Sequence, residues 1–484
     1  MTDAHTLHGS LRRSAKRIAP VAVELGSNWL VRLLLALFLG AVAVGSSAAE
    51  PARRPNVIVI LADDLGYADL GFQGCRDIPT PHLDALARGG VRCTSGYASC
   101  PVCSPTRAGL LTGRYQQRFG YEFLGGGPNV GLPVEETTIA DLLKKGGYAT
   151  MAIGKWHLGS AAQFRPWVRG FGEFYGFLGG GRSFLPLKES EGVPFIPKDP
   201  EAVTIYRTEG PVDDPPHLTD AFGDEAVAFI GRHRHEPFFL YLAFNAVHVP
   251  LQATEKYLSR FPELSGAHRT YAAMISAMDD AVGRVAAALS AEGLEKDTLL
   301  FFLSDNGGHP LASTARNNPL RGEKGTAWEG GIRVPFVVKW TGHVPAGETL
   351  SQPVICLDIL PTALAAAGIS VPASLKIDGV DLIPSLTRQR QDPPSRSLFW
   401  RYGDHRAIRQ GKWKLMLTAG EPAGLYDLDA DIAESKDLSA EYPQLVAELA
   451  AEFGRWNAAL PPPRWGPGIM EGGARLKNRA PAGK

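Results

Sequence analysis

Cys103 stands two residues before Pro105 and four before Arg107, in the string Cys103-Ser-Pro-Thr-Arg107. Proline suits the first turn of a helix, where its missing N–H costs nothing. The string therefore predicts a helix N-terminus at Cys103, where the dipole and the free N–H groups favour an anion. Arg107, about one turn further in, adds a fixed positive charge. This is a nucleophile position facing an oxyanion site. Asp63-Asp64 and Asp305-Asn306 offer the oxygen donors that hard cations such as Ca²⁺ and Mg²⁺ take. Asp and Asn also cap turns, so either pair alone reads more plainly as turn chemistry. No Cys/His pair accompanies them, which argues against a soft metal. Lys155 and His157 are two apart, a spacing that in extended chain turns both to one face and Trp156 to the other. His248, in Asn245-Ala-Val-His248, and Lys324, in Arg321-Gly-Glu-Lys324, complete the set. Taken singly, a structural histidine and a solvated lysine are the plainer readings of these two.

The elements that must position these residues share one pattern. Asn56 to Leu61 runs into Asp63, Tyr148 to Ile153 into Lys155, Phe238 to Ala243 into Asn245 and His248, and Leu299 to Leu303 into Asp305. Continuous apolar runs of this length predict strands buried on both faces, as in a parallel or mixed sheet. Ligands of open α/β sheets bind outside the carboxyl ends of the strands, so four such ends point to one shared site. Helices are predicted over Thr80 to Arg88, Thr138 to Lys145 and Tyr271 to Leu289, each stopped near glycine. Alternation of strand and helix argues an α/β class. Gly179 to Pro216 has no periodicity and reads as a long loop. From Ser397 onward the pattern changes to four short strand candidates and then an amphipathic helix over Ala440 to Ala458. Pro461 to Lys484 is rich in Pro, Gly, Arg and Lys, and predicts a flexible tail.

Fifty basic residues balance fifty acidic ones. No global field then favours nucleic acid or an anionic membrane, and an anionic substrate must be held by a local cluster. At the N-terminus, Arg12, Arg13, Lys16, Arg17 and Arg32 precede an apolar run from Leu33 to Val44, followed by Ser47-Ala48-Ala49. That order predicts a signal peptide over residues 1–49 and an exported protein, periplasmic or secreted. An uncleaved segment would be its one link to a membrane. Cys75, Cys93, Cys100, Cys103 and Cys356 follow it; five is odd, so at least one thiol stays free. With Cys103 set aside, the other four allow three full pairings. Cys100-Pro-Val-Cys103 lacks the second ligand pair that a zinc site needs.

Cys103-Ser-Pro-Thr-Arg107 with Leu110-Leu-Thr-Gly113, and Gly147-Tyr-Ala-Thr-Met-Ala-Ile-Gly-Lys-Trp-His157, resemble the two signatures of the sulfatase family. The resemblance covers roughly residues 54 to 460. It implies a type I, formylglycine-dependent, arylsulfatase-like enzyme of the alkaline phosphatase superfamily. The implied fold is an α/β core, residues 50–395, with a large mixed, mostly parallel sheet sandwiched by helices. A small α+β subdomain with an antiparallel sheet, residues 396–460, would follow, and then a tail, 461–484. In such enzymes the cysteine, here Cys103, is oxidised to formylglycine by a formylglycine-generating or sulfatase-maturating enzyme, and the aldehyde hydrate is the catalytic group. The resemblance further implies a Ca²⁺ site, with Mg²⁺ as the alternative, formed by Asp63, Asp64, Cys103, Asp305 and Asn306. Arg107 would hold the hydrate, Lys155 the sulfate, and His157 would hydrogen-bond the hydrate. His248 would touch the ester, and Lys324 its bridging oxygen. Arg182 and Ser183, in the glycine-rich Gly179-Gly-Gly-Arg-Ser183, are the expected substrate contacts; no Gly-Lys-Ser/Thr follows, so the run is no phosphate loop. The substrate implied is a sulfated carbohydrate or aryl sulfate, since Gly172 to Pro186 resembles polysaccharide- and glycosaminoglycan-type sulfatases. Two other functions stay open: a phosphoester or phosphonate hydrolase on the same fold, and a sulfated-glycan-binding protein that never acquires the aldehyde.

Overall fold

In the computed structural model the described residues are 53–125, 130–208, 210–389 and 396–466. The expected signal segment, the expected boundary near residue 395 and the end of the expected tail lie outside them.

The apolar run near the start of these residues forms β1 (Asn56–Ala62), an inner strand of a ten-stranded sheet. The others are β2 (Val91–Cys93), β4 (Ala149–Lys155), β5 (Glu173–Phe177), β6 (Tyr206–Arg207), β7 (Gly210–Pro211), β8 (Phe238–Ala243), β9 (Thr298–Ser304), β10 (Phe336–Lys339) and β11 (Glu348–Leu350). Between β2 and β4, β3 (Gly96–Tyr97) pairs instead with β12 (Val354–Ile355). The order in the large sheet is β11-β2-β10-β9-β1-β8-β4-β5-β6-β7. β1 runs parallel to both β8 and β9, and β4 parallel to β8 and β5, while β10, β6 and β7 join antiparallel. The sheet is mixed and mostly parallel.

Side chains of β1 alternate between two cores. Val57, Val59 and Leu61 enter one, and Ile58, Ile60 and Ala62 the other. Strict alternation would expose one face, but here both faces are covered, which is why the run is apolar throughout. On the first face lie α2 (Cys103–Thr112) and α3 (Ile139–Lys145); on the second lie α1 (Pro81–Arg88), α4 (Leu218–Arg232) and α5 (Gly266–Ala291). Local chemistry sets the helix ends. Pro81 occupies the first turn of α1, and a capping box joins Thr138 to Asp141 at the start of α3. Because β1, β8, β9 and β4 are parallel, their carboxyl ends share one edge, and Asp63, His248, Asp305 and Lys155 gather there.

β13 (Ser397–Tyr402), β14 (His405–Gln410), β15 (Trp413–Met416) and β16 (Gly424–Asp427) form a separate antiparallel sheet in chain order. α6 (Pro443–Ala458) packs on it, with Trp456 stacked on Phe399 at 4.9 Å. A buried ionic cluster fastens this sheet to the core. Lys414 Nζ lies 2.8 Å from carboxylate oxygens of both Glu329 and Glu434. Glu329 also accepts from Tyr97 at 2.6 Å. Removing the cation would leave two buried carboxylates facing each other. Lys414→Met is therefore expected to destabilise the fold by about 3–5 kcal/mol, measured by chemical denaturation.

Two expectations change. Gly179 to Pro216 is not wholly loop; it holds a short helix, Pro200–Val203, and the β6–β7 hairpin. All five cysteines, whose pairing the sequence leaves open, are free thiols. The tail is not loose at its start. Arg464 N donates to Gly120 O at 2.9 Å, and Trp465 Nε1 donates to Phe123 O at 2.8 Å. An indole ring with a buried aromatic neighbour anchors Trp465 in a stretch that composition marks as flexible. No helix among the described residues is long and apolar enough to cross a membrane.

Candidate active site

Cys103 is the first residue of α2, reached through extended Val102 and fully buried, with Pro105 in the first turn as expected. Gly113, at φ 65°, closes the helix in the left-handed conformation. The Sγ of Cys103 and one carboxylate oxygen each of Asp63 and Asp305 lie within 4.8 Å of one another. Asp63 and Asp64 leave the end of β1, where Asp64 adopts φ 57°. That turn lets the Asp64 N–H donate to Asp305 Oδ1 at 3.3 Å and aims both side chains at the β9 end. Asn306 Nδ2 donates to Asp64 Oδ1 at 2.7 Å. The structure thus brings Asp63, Asp64, Cys103, Asp305 and Asn306 together.

Basic groups close in on the same carboxylates. Arg107 donates to Asp305 Oδ2 from Nε at 3.0 Å and Nη2 at 2.7 Å, and from Nη1 to Lys155 O at 2.8 Å. It is wholly buried and holds the Asp305 carboxylate in place. Lys155 Nζ donates to Asp63 Oδ2 at 2.6 Å, and Lys324 Nζ to Asp64 Oδ2 at 2.8 Å. His248 Nδ1 lies 2.6 Å from Val249 O, so that nitrogen carries the proton and Nε2 faces Asp64 Oδ2 at 3.6 Å.

Burial and charge pull these groups apart in acidity. Burial raises the Asp305 carboxyl, the neighbouring Asp63 carboxylate raises it further, and Arg107 opposes both without cancelling them. Burial works the same way on Asp64, but Lys324, His248 and Lys155 outweigh it and hold that carboxyl below the usual range. Burial favours a neutral His248, yet the Asp64 carboxylate prevails and raises the imidazole above its ordinary value. Burial pushes the Cys103 thiol up to about 12 against the pull of Lys155 and Lys324. An unmodified cysteine here is a protonated, weakly nucleophilic thiol at neutral pH.

Two oxygens decide whether a cation fits. Asp63 Oδ1 and Asn306 Oδ1 are buried and have no hydrogen-bond partner among the described residues. Buried acceptors of this kind are normally satisfied, and a hard cation satisfies them. With Asp64 and Asp305 beside them, the donor set is oxygen-rich and suits Ca²⁺ or Mg²⁺.

His157 arrives by a route that strand alternation does not describe. β4 ends at Lys155, and His157 turns at φ 56° into a cavity of about 550 Å³. Trp156 packs inward as expected, its Nε1 donating to Phe164 O at 2.9 Å. Ser104 fixes the turn, donating from Oγ to His157 O at 2.7 Å and meeting Tyr121 Oη at 2.5 Å. Ser104, Tyr121 and Trp465 line the cavity with His157, and none of the three was singled out from sequence. Ser104 lay beside the expected nucleophile; the signal for Trp465 was a lone large aromatic in a Pro/Gly-rich stretch.

The expected substrate contacts Arg182 and Ser183 are both buried, with partners in the neighbouring loops. Arg182 is buried, donating from Nε to Val203 O at 2.5 Å and pairing with Asp214. Ser183 Oγ donates to Leu185 O at 2.7 Å and meets Ser190 Oγ at 2.5 Å. Gly179 and Gly180 line the cavity, while both side chains satisfy backbone and loop groups that burial would otherwise strand.

The family described as Sulfatase matches residues 55–369, and that described as N-sulphoglucosamine sulphohydrolase, C-terminal, matches 323–458. N-acetylgalactosamine-6-sulfatase of Mus musculus is 35% identical over 400 residues, covering 78% of this chain and 74% of that protein. Steryl-sulfatase of Mus musculus is 34% identical, covering 76% and 71%. The crystal structure of Ps i-CgsB in complex with k-i-k-neocarrahexaose superimposes with a TM-score of 0.81 at 37% identity, covering 87% of this chain and 96% of that one.

Proposed function

This chain belongs to the sulfatase family, as a type I sulfatase of the alkaline phosphatase superfamily and a sulfuric ester hydrolase, and on that premise we propose that it releases inorganic sulfate from sulfated carbohydrate through a formylglycine made from Cys103. The observation that carries the reading is the placement of Cys103. It starts a helix, fully buried, within 4.8 Å of carboxylate oxygens from two strand ends. A formylglycine hydrate at this position would supply two hydroxyls, one as nucleophile toward sulfur and one for the later release of sulfate. A Ca²⁺ or Mg²⁺ would be held by Asp63, Asp64, Asp305 and Asn306 and would supply Lewis-acid charge for the sulfuryl oxygens.

The chain's own residues do the rest. Arg107 holds Asp305 and, through it, the wall facing residue 103. Lys155 and Lys324 bring ammonium groups to Asp63 and Asp64, where Lys155 binds sulfuryl oxygens and Lys324 stabilises the charge that grows on the bridging oxygen in a dry site. His248, with Nδ1 committed to Val249 O, has Nε2 to give a proton to the departing alcohol. His157 takes the proton released when the hydrate collapses. Three carboxylates face three permanent cations here, so a bound divalent ion leaves a positive surplus that suits an anionic ester. The maturing enzyme would be a formylglycine-generating or sulfatase-maturating one, and the sulfatase an exported protein. The carbohydrate reading is supported by the names of its relatives, N-acetylgalactosamine-6-sulfatase and a neocarrahexaose complex among them.

The test compares 4-nitrophenyl sulfate, its phosphate analogue and sulfated sugars. Preference for phosphate would favour the phosphoester hydrolase, and binding without turnover the glycan-binding protein. Lys324→Ala sharpens it. An ammonium at the bridging oxygen matters most for poor leaving groups, so the sugar sulfate should slow by about 10²–10³ and the aryl sulfate much less. Equal slowing of both would make Lys324 a sulfate clamp only.

A further inference from the structure

We propose that Trp465, backed by the buried Tyr121, forms the aromatic wall of a sugar-binding subsite beside Ser104 and His157, and acts as a specificity element. The cavity of about 550 Å³ opens on His157 and Ser104, next in sequence to Cys103. The path outward from the nucleophile is aromatic. Ser104 Oγ meets Tyr121 Oη at 2.5 Å, and the Tyr121 ring meets the Trp465 indole edge-on, with centroids 4.8 Å apart and planes at 80°. Trp465 is only half-buried, and its Nε1 is committed to Phe123 O, which fixes the ring's orientation. Asp199 and Ser160 complete the lining with a carboxylate and a hydroxyl. A rigid half-exposed aromatic with a few polar groups around a concave site is what a sugar ring needs. Its C–H face packs on the indole and its hydroxyls reach the carboxylate and serine.

The matched regions end at residue 458, seven positions before Trp465. The segment returns from α6 to the core through Arg464 N and Gly120 O. Gly120 makes the close approach possible, because a Cβ there would lie 2.8 Å from Arg464 and 3.0 Å from Pro462 O.

The inference rests on the carbohydrate reading, and two separate readouts keep their failures apart. Calorimetric binding is measured on Cys103→Ala protein, which cannot turn over, with a tetrasaccharide ending in N-acetylgalactosamine 6-sulfate. Hydrolysis of the same sugar is measured on mature enzyme. Trp465→Leu keeps apolar bulk but removes the flat ring, and should raise Kd about tenfold or more. Trp465→Phe keeps a ring and should restore most of the affinity. Equal affinity in the Leu variant and the parent overturns the subsite and leaves the carbohydrate reading standing. Tight binding lost in the Leu variant, without hydrolysis by mature enzyme, supports the subsite and sinks the reading. No sugar binding by the parent overturns both. A merely structural Trp465 would lower the melting temperature in both variants and move Kd in neither.

Discussion

Cys103→Ala is expected to lower turnover of any sulfate ester by at least about 10⁴-fold, because it removes the group on which the covalent chemistry depends. The fold should change little. The thiol is small, and its loss at a buried site should cost about 1 kcal/mol. Its neighbours, Asp63 and Asp305, keep Lys155 and Arg107 as partners. Circular dichroism and thermal denaturation check the fold, and an aryl sulfate assay checks activity. Survival of more than a few per cent of activity in a folded variant would sink the role given to position 103. Mass spectrometry of the peptide spanning Cys103 in active enzyme adds an independent reading. The aldehyde replaces the thiol, so an unmodified thiol throughout an active preparation would exclude the formylglycine route.

Asp63→Asn should be nearly as severe for a different reason. Asp63 supplies both a buried, unpartnered oxygen and the charge that holds Lys155 at 2.6 Å. Its neutralisation lowers cation affinity and leaves a buried ammonium without its carboxylate. Activity should fall by at least about 10²–10³-fold. Bound calcium or magnesium, measured by inductively coupled plasma mass spectrometry, should fall in parallel. Stability should fall by about 3–5 kcal/mol, the usual result of breaking one half of a buried pair. Full metal content together with lost activity would show that Asp63 serves Lys155 and not the cation. Treatment of the unmutated enzyme with a chelator should reproduce the activity loss without the loss of Lys155's partner.

The centre of the large sheet, β1, β4, β8 and β9, was legible because those strands are buried on both faces. A run such as Val57 to Ala62 then has no polar position to blur the pattern, and the acids just after it mark a strand end. Asp63-Asp64 and Asp305-Asn306 stood out for that reason. Lys155 and His157 were expected on one face of an extended strand, and the structure does not hold them that way. Alternation fails because β4 ends at Lys155 and His157 turns at φ 56°, a conformation no spacing rule reports. The partners of Arg182 and Ser183 could not be read from the chain, because a glycine-rich run with charge looks exposed. In the structure Gly179 and Gly180 line the cavity, and the two buried side chains pair with Asp214, Val203 O and Ser190. Arg107 was expected to face the nucleophile, and its donors go first to Asp305 and Lys155 O.

What this sequence determined alone was local in cause. Apolar runs, helix-starting proline and capping residues, glycine stops and the strings around Cys103 and Lys155 act over a few residues, so they can be read in order along the chain. Tertiary structure decided the rest, because it depends on partners far apart in sequence. It set which oxygens of Asp63 and Asn306 lie buried without a hydrogen bond. It spent Arg107 on a carboxylate 198 positions away. It also brought Trp465 back from beyond the last helix to stand against Tyr121. Burial and long-range pairing assign the charges of the site, and neither is a property of any short segment.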